Sequence, residues 1–378
     1  MSGPFEGVRV LQELKRIDFA GGGTAGHLFP ALSLAQEFKR RFPSCEIRFW
    51  GTKRGVEYRL RHQLGFQLST IKIRGFRRSF ALSNFLIPVE LPGSLLFLIF
   101  HFLFNRSNLV IGTGGYVSAP VVFAARVAGI STAVQEQNSY PGVTTRLLSR
   151  VAKRVYLTYD SSRQYFKNQG KIEVFGNPVR QMKVDLDRES AAKKFGLAAD
   201  KKTLLVFGGS QGGLGLNKLL LGITRQLLAD DRIQIVWATG PNHFDKIARE
   251  SGDLEGLHLF AFIEDMYTAY TACDLTLCRA GATTIAELTY LGIPAILIPF
   301  PFATGDHQKY NAMELEKTGA AKYLPESETT GDILLTTIKA LIDDDSRLAQ
   351  MKKKMKGMAK PNAAHDIVSD LCKLILVD

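Results

Sequence analysis

The stretch Ile17-Asp18-Phe19-Ala20-Gly21-Gly22-Gly23-Thr24-Ala25-Gly26-His27-Leu28-Phe29-Pro30 joins a short apolar run to a glycine turn and then to a helical pattern. That order spells the first half of a βαβ unit, with a strand over Ile17–Ala20 and a helix opened by Pro30 and running to Arg40. Gly21, Gly23 and Gly26 satisfy G-x-G-x-x-G, the dinucleotide fingerprint. Its acidic partner is misplaced. Glu46 lies 20 positions beyond Gly26 but opens the next strand, whereas a ribose-binding acid belongs at the C-terminal end, where Trp50-Gly51-Thr52 stand. A nicotinamide dinucleotide is therefore not the expected ligand.

Outward from this stretch, short apolar runs alternate with amphipathic ones. Further strands are expected at Glu46–Trp50, Leu109–Ile111, Thr132–Gln135 and Arg154–Leu157, then at Thr203–Phe207, Ile233–Ala238, His258–Phe260, Asp274–Cys278 and Ala295–Ile298. Helical patterns between them include Ser118–Ala128, Gly215–Leu228 and Ile285–Leu291. Such alternation means parallel sheets built from βαβ units. The pattern restarts near Thr203, after the charged segment Arg180–Lys202, and Gly176-Asn177-Pro178 favours a turn just before it. The expectation is α/β, two Rossmann-like, doubly wound domains: 1–178, and 179–360.

Three more glycine-bearing loops follow expected strands: Gly112-Thr113-Gly114-Gly115-Tyr116, Gly208-Gly209-Ser210-Gln211-Gly212-Gly213, and Arg279-Ala280-Gly281-Ala282-Thr283-Thr284. Each brings backbone N–H groups and a helix N-terminus to a strand's C-terminal edge, a ready anion site. None matches the P-loop pattern. Four such loops on two domains point to a diphosphate nucleotide in an interdomain cleft. Glu287, on the first turn or so of the helix after the fourth loop, is placed to reach sugar hydroxyls while the helix end holds phosphate. Asp306-His307-Gln308 and Asn311, beyond Pro299-Phe300-Pro301, are further polar groups at a strand end.

Composition is that of a globular protein: 378 residues, 46% hydrophobic and 22% charged. The four cysteines, Cys45, Cys273, Cys278 and Cys372, form no C-x-x-C pair and read as buried reduced thiols. Charge is uneven. Residues 1–180 hold 25 basic against 10 acidic residues, and the remainder is slightly acidic. The first half thus expects an anionic partner. No signal peptide is legible before Ile17. The most apolar run, Phe85–Phe104, is broken by Pro88, Glu90, Pro92 and Gly93, and the dense block Leu95–Phe104 is too short to span a bilayer. Lys72, Arg74, Arg77 and Arg78 precede Phe80, Leu82, Phe85, Leu86 and the Leu95–Phe104 block, a pattern for attachment to an anionic membrane surface. Nucleic acid is the rival partner, but no RNP, helix-turn-helix or finger signature accompanies the charge.

The motifs GGGTAGH with Phe29-Pro30, GTGGYVSAP, QEQN, GNPVR, GGSQGG with Asn217, FIEDM, CRAGATTIAEL and DHQKYNA, in order from Ile17 to Ala321, resemble the MurG family. Its members transfer N-acetylglucosamine from UDP-N-acetylglucosamine to undecaprenyl-diphospho-muramoyl-pentapeptide (lipid I to lipid II) in peptidoglycan biosynthesis, the cell-wall assembly behind cell shape and division. The resemblance implies a GT-B fold, with a C-terminal helix, about 361–378, packing back on the first domain. It also implies an inverting single displacement at the cytoplasmic face of the cell membrane, with the enzyme bound peripherally. Thr24, Ala25, Gly26, Asn138 and Arg180 match donor-contacting positions. Ser210 matches a diphosphate contact, Ile263 a uracil contact and Gln308 a sugar contact. Ala282, Thr283, Thr284, Ile285, Ala286 and Glu287 match the segment that holds diphosphate and ribose. His27, Glu136, Tyr116 and Asn217 match positions tied to acceptor binding or catalysis. Ala25 stands where the family usually has glycine, Gln135 where it has histidine before EQN, and Gly213 where alanine is common.

Transfer to a sugar hydroxyl needs a base; His27 is the best by type, since an imidazole titrates near working pH, and Glu136 is the alternative. Leaving-group charge falls to helix dipoles, Ser210 and Arg180. No cofactor is expected to be tightly bound and no metal cluster is legible, while magnesium assistance stays open. A lipid galactosyltransferase acting on diacylglycerol and a nucleotide-sugar-binding protein without transfer activity are the competing readings.

Overall fold

The computed structural model describes residues 14–75, 87–179, 186–209 and 212–376. The chain divides into two compact units, one formed by Met1–Arg180 with Lys360–Asp378 and the other by Gln181–Ala359. The first runs β1 (Arg16–Gly21), α1 (Ala25–Arg41), β2 (Glu46–Gly51), α2 (Val56–Arg59), β3 (Gln67–Thr70), α3 (Ile87–Phe104), β4 (Leu109–Gly114), α4 (Gly115–Val127), β5 (Ser131–Glu136), α5 (Val143–Leu148), β6 (Arg154–Leu157) and β7 (Ile172–Val174). Its seven-stranded sheet is parallel, in the order β3-β2-β1-β4-β5-β6-β7. β4 and β5 are buried along their whole length. That explains their continuous apolar runs, because helices cover both faces of a parallel sheet. Ala20, Val110, Val134 and Val155 pack with Leu98, Phe102 and Val121 in one layer. Phe19, Ile111 and Ala133 pack with Leu28 and Leu34 in the other.

The second unit runs α6 (Arg188–Lys194), β8 (Lys202–Phe207), α7 (Leu214–Leu221), α8 (Thr224–Leu228), β9 (Ile233–Ala238), α9 (Phe244–Ser251), β10 (Leu257–Phe260), α10 (Met266–Ala272), β11 (Leu275–Cys278), α11 (Ala282–Leu291), β12 (Ala295–Leu297), α12 (His307–Thr318), β13 (Ala321–Tyr323), α13 (Gly331–Ile342) and α14 (Asp345–Gly357). Its parallel sheet has the order β10-β9-β8-β11-β12-β13. In both sheets the strand order reverses at the centre, beside β1 and β4 and beside β8 and β11. The crevice outside such a switch point is where open α/β sheets bind ligands. The four glycine loops follow these four strands.

The last helix, α15 (Ala363–Leu376), belongs to the first unit. Ile367, Val368 and Leu371 enter its core. Arg41 donates to Ser369 Oγ at 2.9 Å and to the His365 carbonyl at 2.8 Å, and Tyr156 Oη donates to Asp370 at 2.8 Å.

Several element expectations need correction. The first helix starts at Ala25, not at Pro30, which lies inside it. Proline lacks an N–H, so the only intrahelical bond it removes is the one to Gly26, one turn earlier. The expected helix Gly215–Leu228 is two helices, interrupted at Gly222–Ile223. α3 runs from Ile87 through Pro92 as one helix. Strands β3, β7 and β13, of four, three and three residues, carry too little pattern to be read. Cys45, Cys278 and Cys372 are buried free thiols, raised by burial to about 11, about 12 and about 11 respectively, and Cys273 is a half-buried one. Among the described residues no helix is long and apolar enough to cross a membrane.

Candidate functional site

In the first unit, Thr24 caps α1 in an extended conformation, and Ala25, Gly26 and His27 form the first turn. Thr24 Oγ1 lies 3.0 Å from His27 Nδ1. The register between β1 and β4 slips here: Ala20 pairs with Gly112 and Gly21 with Gly114. Thr113 is the extra residue, and its hydroxyl donates to the His27 carbonyl at 2.7 Å. Bulges of this kind re-aim neighbouring groups. Gly114 and Gly115 then turn with φ of 102° and 78°. A Cβ on Gly114 would stand 2.7 Å from His27 Cδ2, and one on Gly115 would stand 2.4 Å from the Gly22 oxygen. The imidazole thus rests on a surface that only glycine allows.

Tyr116 lays its ring beside Gly23 and shares a hydrogen bond with Thr52 Oγ1 at 3.0 Å. Glu136 ends β5 with its carboxylate engaged. Oε1 accepts from the Asn138 backbone N–H and side-chain amide, at 3.1 and 3.0 Å, and Oε2 accepts from Gly142 N–H at 3.0 Å. Gln137 ties this loop to the Thr113 carbonyl at 2.8 Å. His27, Thr24, Tyr116, Glu136 and Asn138 therefore share the C-terminal edge of β1, β4 and β5.

Glu57 was not singled out from the sequence. Its buried carboxylate accepts from Gly23 N–H at 2.8 Å and Thr52 N–H at 2.9 Å. An anion at Gly23 would meet a carboxylate already there, so the first loop departs from the anion-site expectation. A Glu one residue into a four-residue helix, with no motif around it, carries no signal a sequence reader would use.

Of the expected membrane patch, Arg77, Arg78, Phe85 and Leu86 lie outside the described residues, and Arg74 pairs with Glu90 at 3.0 Å. Arg74 is thereby no longer an unpartnered cation. Within the expected Leu95–Phe104 block, Leu96, Phe97, Phe100, Leu103 and Phe104 are exposed on α3, the last 83% accessible. α4, packed on α3, adds Phe123, Val127 and the exposed Arg126.

In the second unit, Gly281 caps α11, whose first turn holds Ala282, Thr283 and Thr284. First-turn N–H groups have no intrahelical acceptor. Thr283 Oγ1 is buried without a hydrogen-bond partner among the described residues. Ile285 points into the core, so only its backbone is available to a ligand. Glu287 falls in the second turn, after Ala286, and not in the first. Tyr270 Oη donates to its Oε2 at 3.0 Å. Burial raises its carboxyl to about 7, while hydrogen bonds from Tyr270 and Tyr267 pull the other way.

Ile263 is buried. Gln308 accepts from Phe300 N–H at 2.9 Å and follows Asp306, which holds a left-handed φ of 54°. Arg279 is buried, paired with Glu326 at 2.5 Å and bonded to the Ile298 and Pro299 carbonyls, so it braces the fourth loop. Asn311 likewise turns inward, to the Ala280 carbonyl at 3.3 Å. Asn217 is not at a ligand surface, contrary to expectation. Its amide donates to the Thr239 carbonyl at 2.8 Å and accepts from Trp237 Nε1 at 3.1 Å, fastening α7 to β9. Arg180 and Ser210 lie outside the described residues.

The glycosyltransferase family 28 N-terminal domain matches residues 17–157, and the C-terminal domain of that family matches residues 203–367. A curated relative from Acetivibrio thermocellus, named UDP-N-acetylglucosamine--N-acetylmuramyl-(pentapeptide) pyrophosphoryl-undecaprenol N-acetylglucosamine transferase, is 38% identical over 95% of this chain and 98% of its own. Its namesake from Chlorobaculum tepidum is 39% identical over 95% and 99%. The crystal structure of Acinetobacter baumannii MurG matches with a TM-score of 0.75 at 29% identity, covering 95% of this chain and 99% of that one.

Proposed function

The chain belongs to glycosyltransferase family 28, whose GT-B fold it has, and on that premise we propose that it is the transferase making lipid II. It moves N-acetylglucosamine from UDP-N-acetylglucosamine to undecaprenyl-diphospho-N-acetylmuramoyl-pentapeptide in peptidoglycan biosynthesis. The observation that carries this reading is the head of α11. An unpartnered buried hydroxyl, Thr283 Oγ1, sits beside first-turn N–H groups, and one turn on stands a half-buried carboxylate, Glu287. A diphosphate suits the first pair, and ribose hydroxyls suit the second.

Chemically, an acceptor hydroxyl oxygen attacks the anomeric carbon from the face opposite the diphosphate. The carbon–oxygen bond to UDP breaks as the new bond forms, and the configuration inverts. The hydroxyl proton passes to His27, which Thr24 orients through Nδ1. Glu136 is assigned to positioning, because three N–H groups already occupy its carboxylate. Negative charge developing on UDP meets the positive end of α11 and the Thr283 hydroxyl. UDP-N-acetylglucosamine is a substrate, and the proposal includes no tightly bound cofactor; assays with magnesium and with chelator check that part.

The acceptor's lipid tail stays in a bilayer, so the first unit docks peripherally on the cytoplasmic face. We assign the positive charge to anionic lipid instead of nucleic acid, because the exposed Phe and Leu side chains of α3 stand beside α4, which carries the exposed Arg126.

Radiolabelled UDP-N-acetylglucosamine with the polyprenyl-diphosphate acceptor should yield a labelled lipid. His27→Ala should lower kcat by roughly 10²–10⁴-fold while sparing UDP affinity. Label entering diacylglycerol instead, or no transfer at all, overturns the reading. If Glu136→Gln abolishes turnover and His27→Ala does not, Glu136 is the base.

A further inference from the structure

Glu287 is an acid in an apolar place. It lies on α11 beside the α10 tyrosines, off the face by which Ile285 and Leu288 enter the hydrophobic core, and burial still raises its carboxyl. A carboxylate withdrawn from water needs compensating donors. In most proteins a lysine or arginine supplies them. Here the donors are phenols, both from α10. Tyr270 Oη reaches Oε2 at 3.0 Å, and Tyr267 bonds the same carboxylate.

The placement of those phenols is itself built. Residues three apart share a helix face, so Tyr267 and Tyr270 turn together toward α11. Their rings lie 6.5 Å apart. Asp265 caps α10, accepting from Thr268 N–H at 3.1 Å and from its hydroxyl at 2.5 Å, which sets the helix's phase. Tyr270 is only 2% accessible, and its ring meets Phe207 at the end of β8 edge-on at 5.8 Å. The hydroxyl therefore has little freedom to point elsewhere.

Neutral donors leave a carboxylate its charge and part of its acceptor capacity. An ionised carboxylate offers about four lone-pair directions. Two phenols use two, and the remainder suit the vicinal 2′- and 3′-hydroxyls of a ribose. An arginine fork in the same place would have filled them.

We propose that Tyr270 and Tyr267 are positioning residues that aim Glu287 at the donor ribose and so set the preference for ribo- over 2′-deoxyribonucleotides. The proposal rests on the reading in which Glu287 receives ribose hydroxyls. Without the 2′-hydroxyl, a half-buried acceptor is left unpaired, which is how polar pockets reject the analogue lacking a group.

Calorimetry with UDP and 2′-deoxy-UDP tests it on the full chain and on Glu287→Gln, Tyr270→Phe and Tyr267→Phe. Phenylalanine keeps each ring and removes only the hydroxyl. Wild type should favour UDP, and Glu287→Gln should erase that preference. Tyr270→Phe should reduce it by about tenfold, the scale of one hydrogen bond to a charged group. In turnover, Tyr270→Phe should raise the donor KM more than it lowers kcat. A merely structural tyrosine would weaken both nucleotides alike. Preference lost in Glu287→Gln but intact in both tyrosine variants overturns the positioning role alone. Preference intact in Glu287→Gln overturns the ribose reading and this proposal with it.

Discussion

Glu287 carries its proton to about pH 7 because burial disfavours the charged form more than two phenols favour it. Ribose hydroxyls donate to the ionised form, so donor affinity should rise as pH rises through that value. UDP-N-acetylglucosamine is the right probe, since its diphosphate has no group titrating near neutrality. Between pH 6 and 8 its association constant should increase up to about tenfold, tracking the ionised fraction. Glu287→Gln should flatten the profile in calorimetry, and an unchanged slope would remove Glu287 from the ribose contact. The stability sign is opposite. A raised carboxyl binds its proton more tightly when folded, so the free protein loses stability as pH climbs from 4.5 to about 7.

At the scale of the element, α3 has two distinct faces. Leu98 and Phe102 are fully buried, and His101 meets Arg48 Nη1 at 2.9 Å and the Trp50 ring at 5.0 Å. The other face shows Phe97 and Phe100, 55% and 57% accessible, to solvent. Those rings are not spent on the core, so replacing them should leave the fold intact. Phe97→Ser/Phe100→Ser should weaken co-sedimentation with anionic vesicles, since a fully buried Phe is worth roughly 1.5–3 kcal/mol. Each cation near the surface adds about 1 kcal/mol. The electrostatic part should fade with salt, because charges are screened beyond about 8 Å at physiological strength, while the apolar part persists. Arg74 itself contributes little net charge to that attraction, being paired with Glu90. Equal vesicle binding by the double variant would leave the α3 face without a membrane role.

At the scale of the whole molecule, the chain's C-terminal helix completes its N-terminal unit. Ile367, Val368 and Leu371 are buried beside Phe19, Leu34 and Phe38. At roughly 1.5–3 kcal/mol for each side chain, their loss compares with the 5–15 kcal/mol that holds a typical domain. A chain ending at Ala359 should therefore lose the first unit's calorimetric transition while the second unit's persists. Two undisturbed transitions would show that α15 is dispensable.

The sequence alone determined the doubly wound class, the location of four glycine loops at strand ends, and His27 and Glu287 as groups of interest. Those features are local. A buried parallel strand must be apolar along its length, and a βα turn that approaches a neighbouring backbone must be glycine. What only the tertiary structure decided depends on partners far along the chain. Glu57 reaches Gly23 across 34 positions, and Asn217 finds Trp237 across 20. Arg74 is paired with Glu90, and Glu136 already accepts from three N–H groups across a turn. A residue's type states which bonds it can make; only folding, by choosing which neighbour arrives within 3 Å or so, decides whether those bonds are already taken.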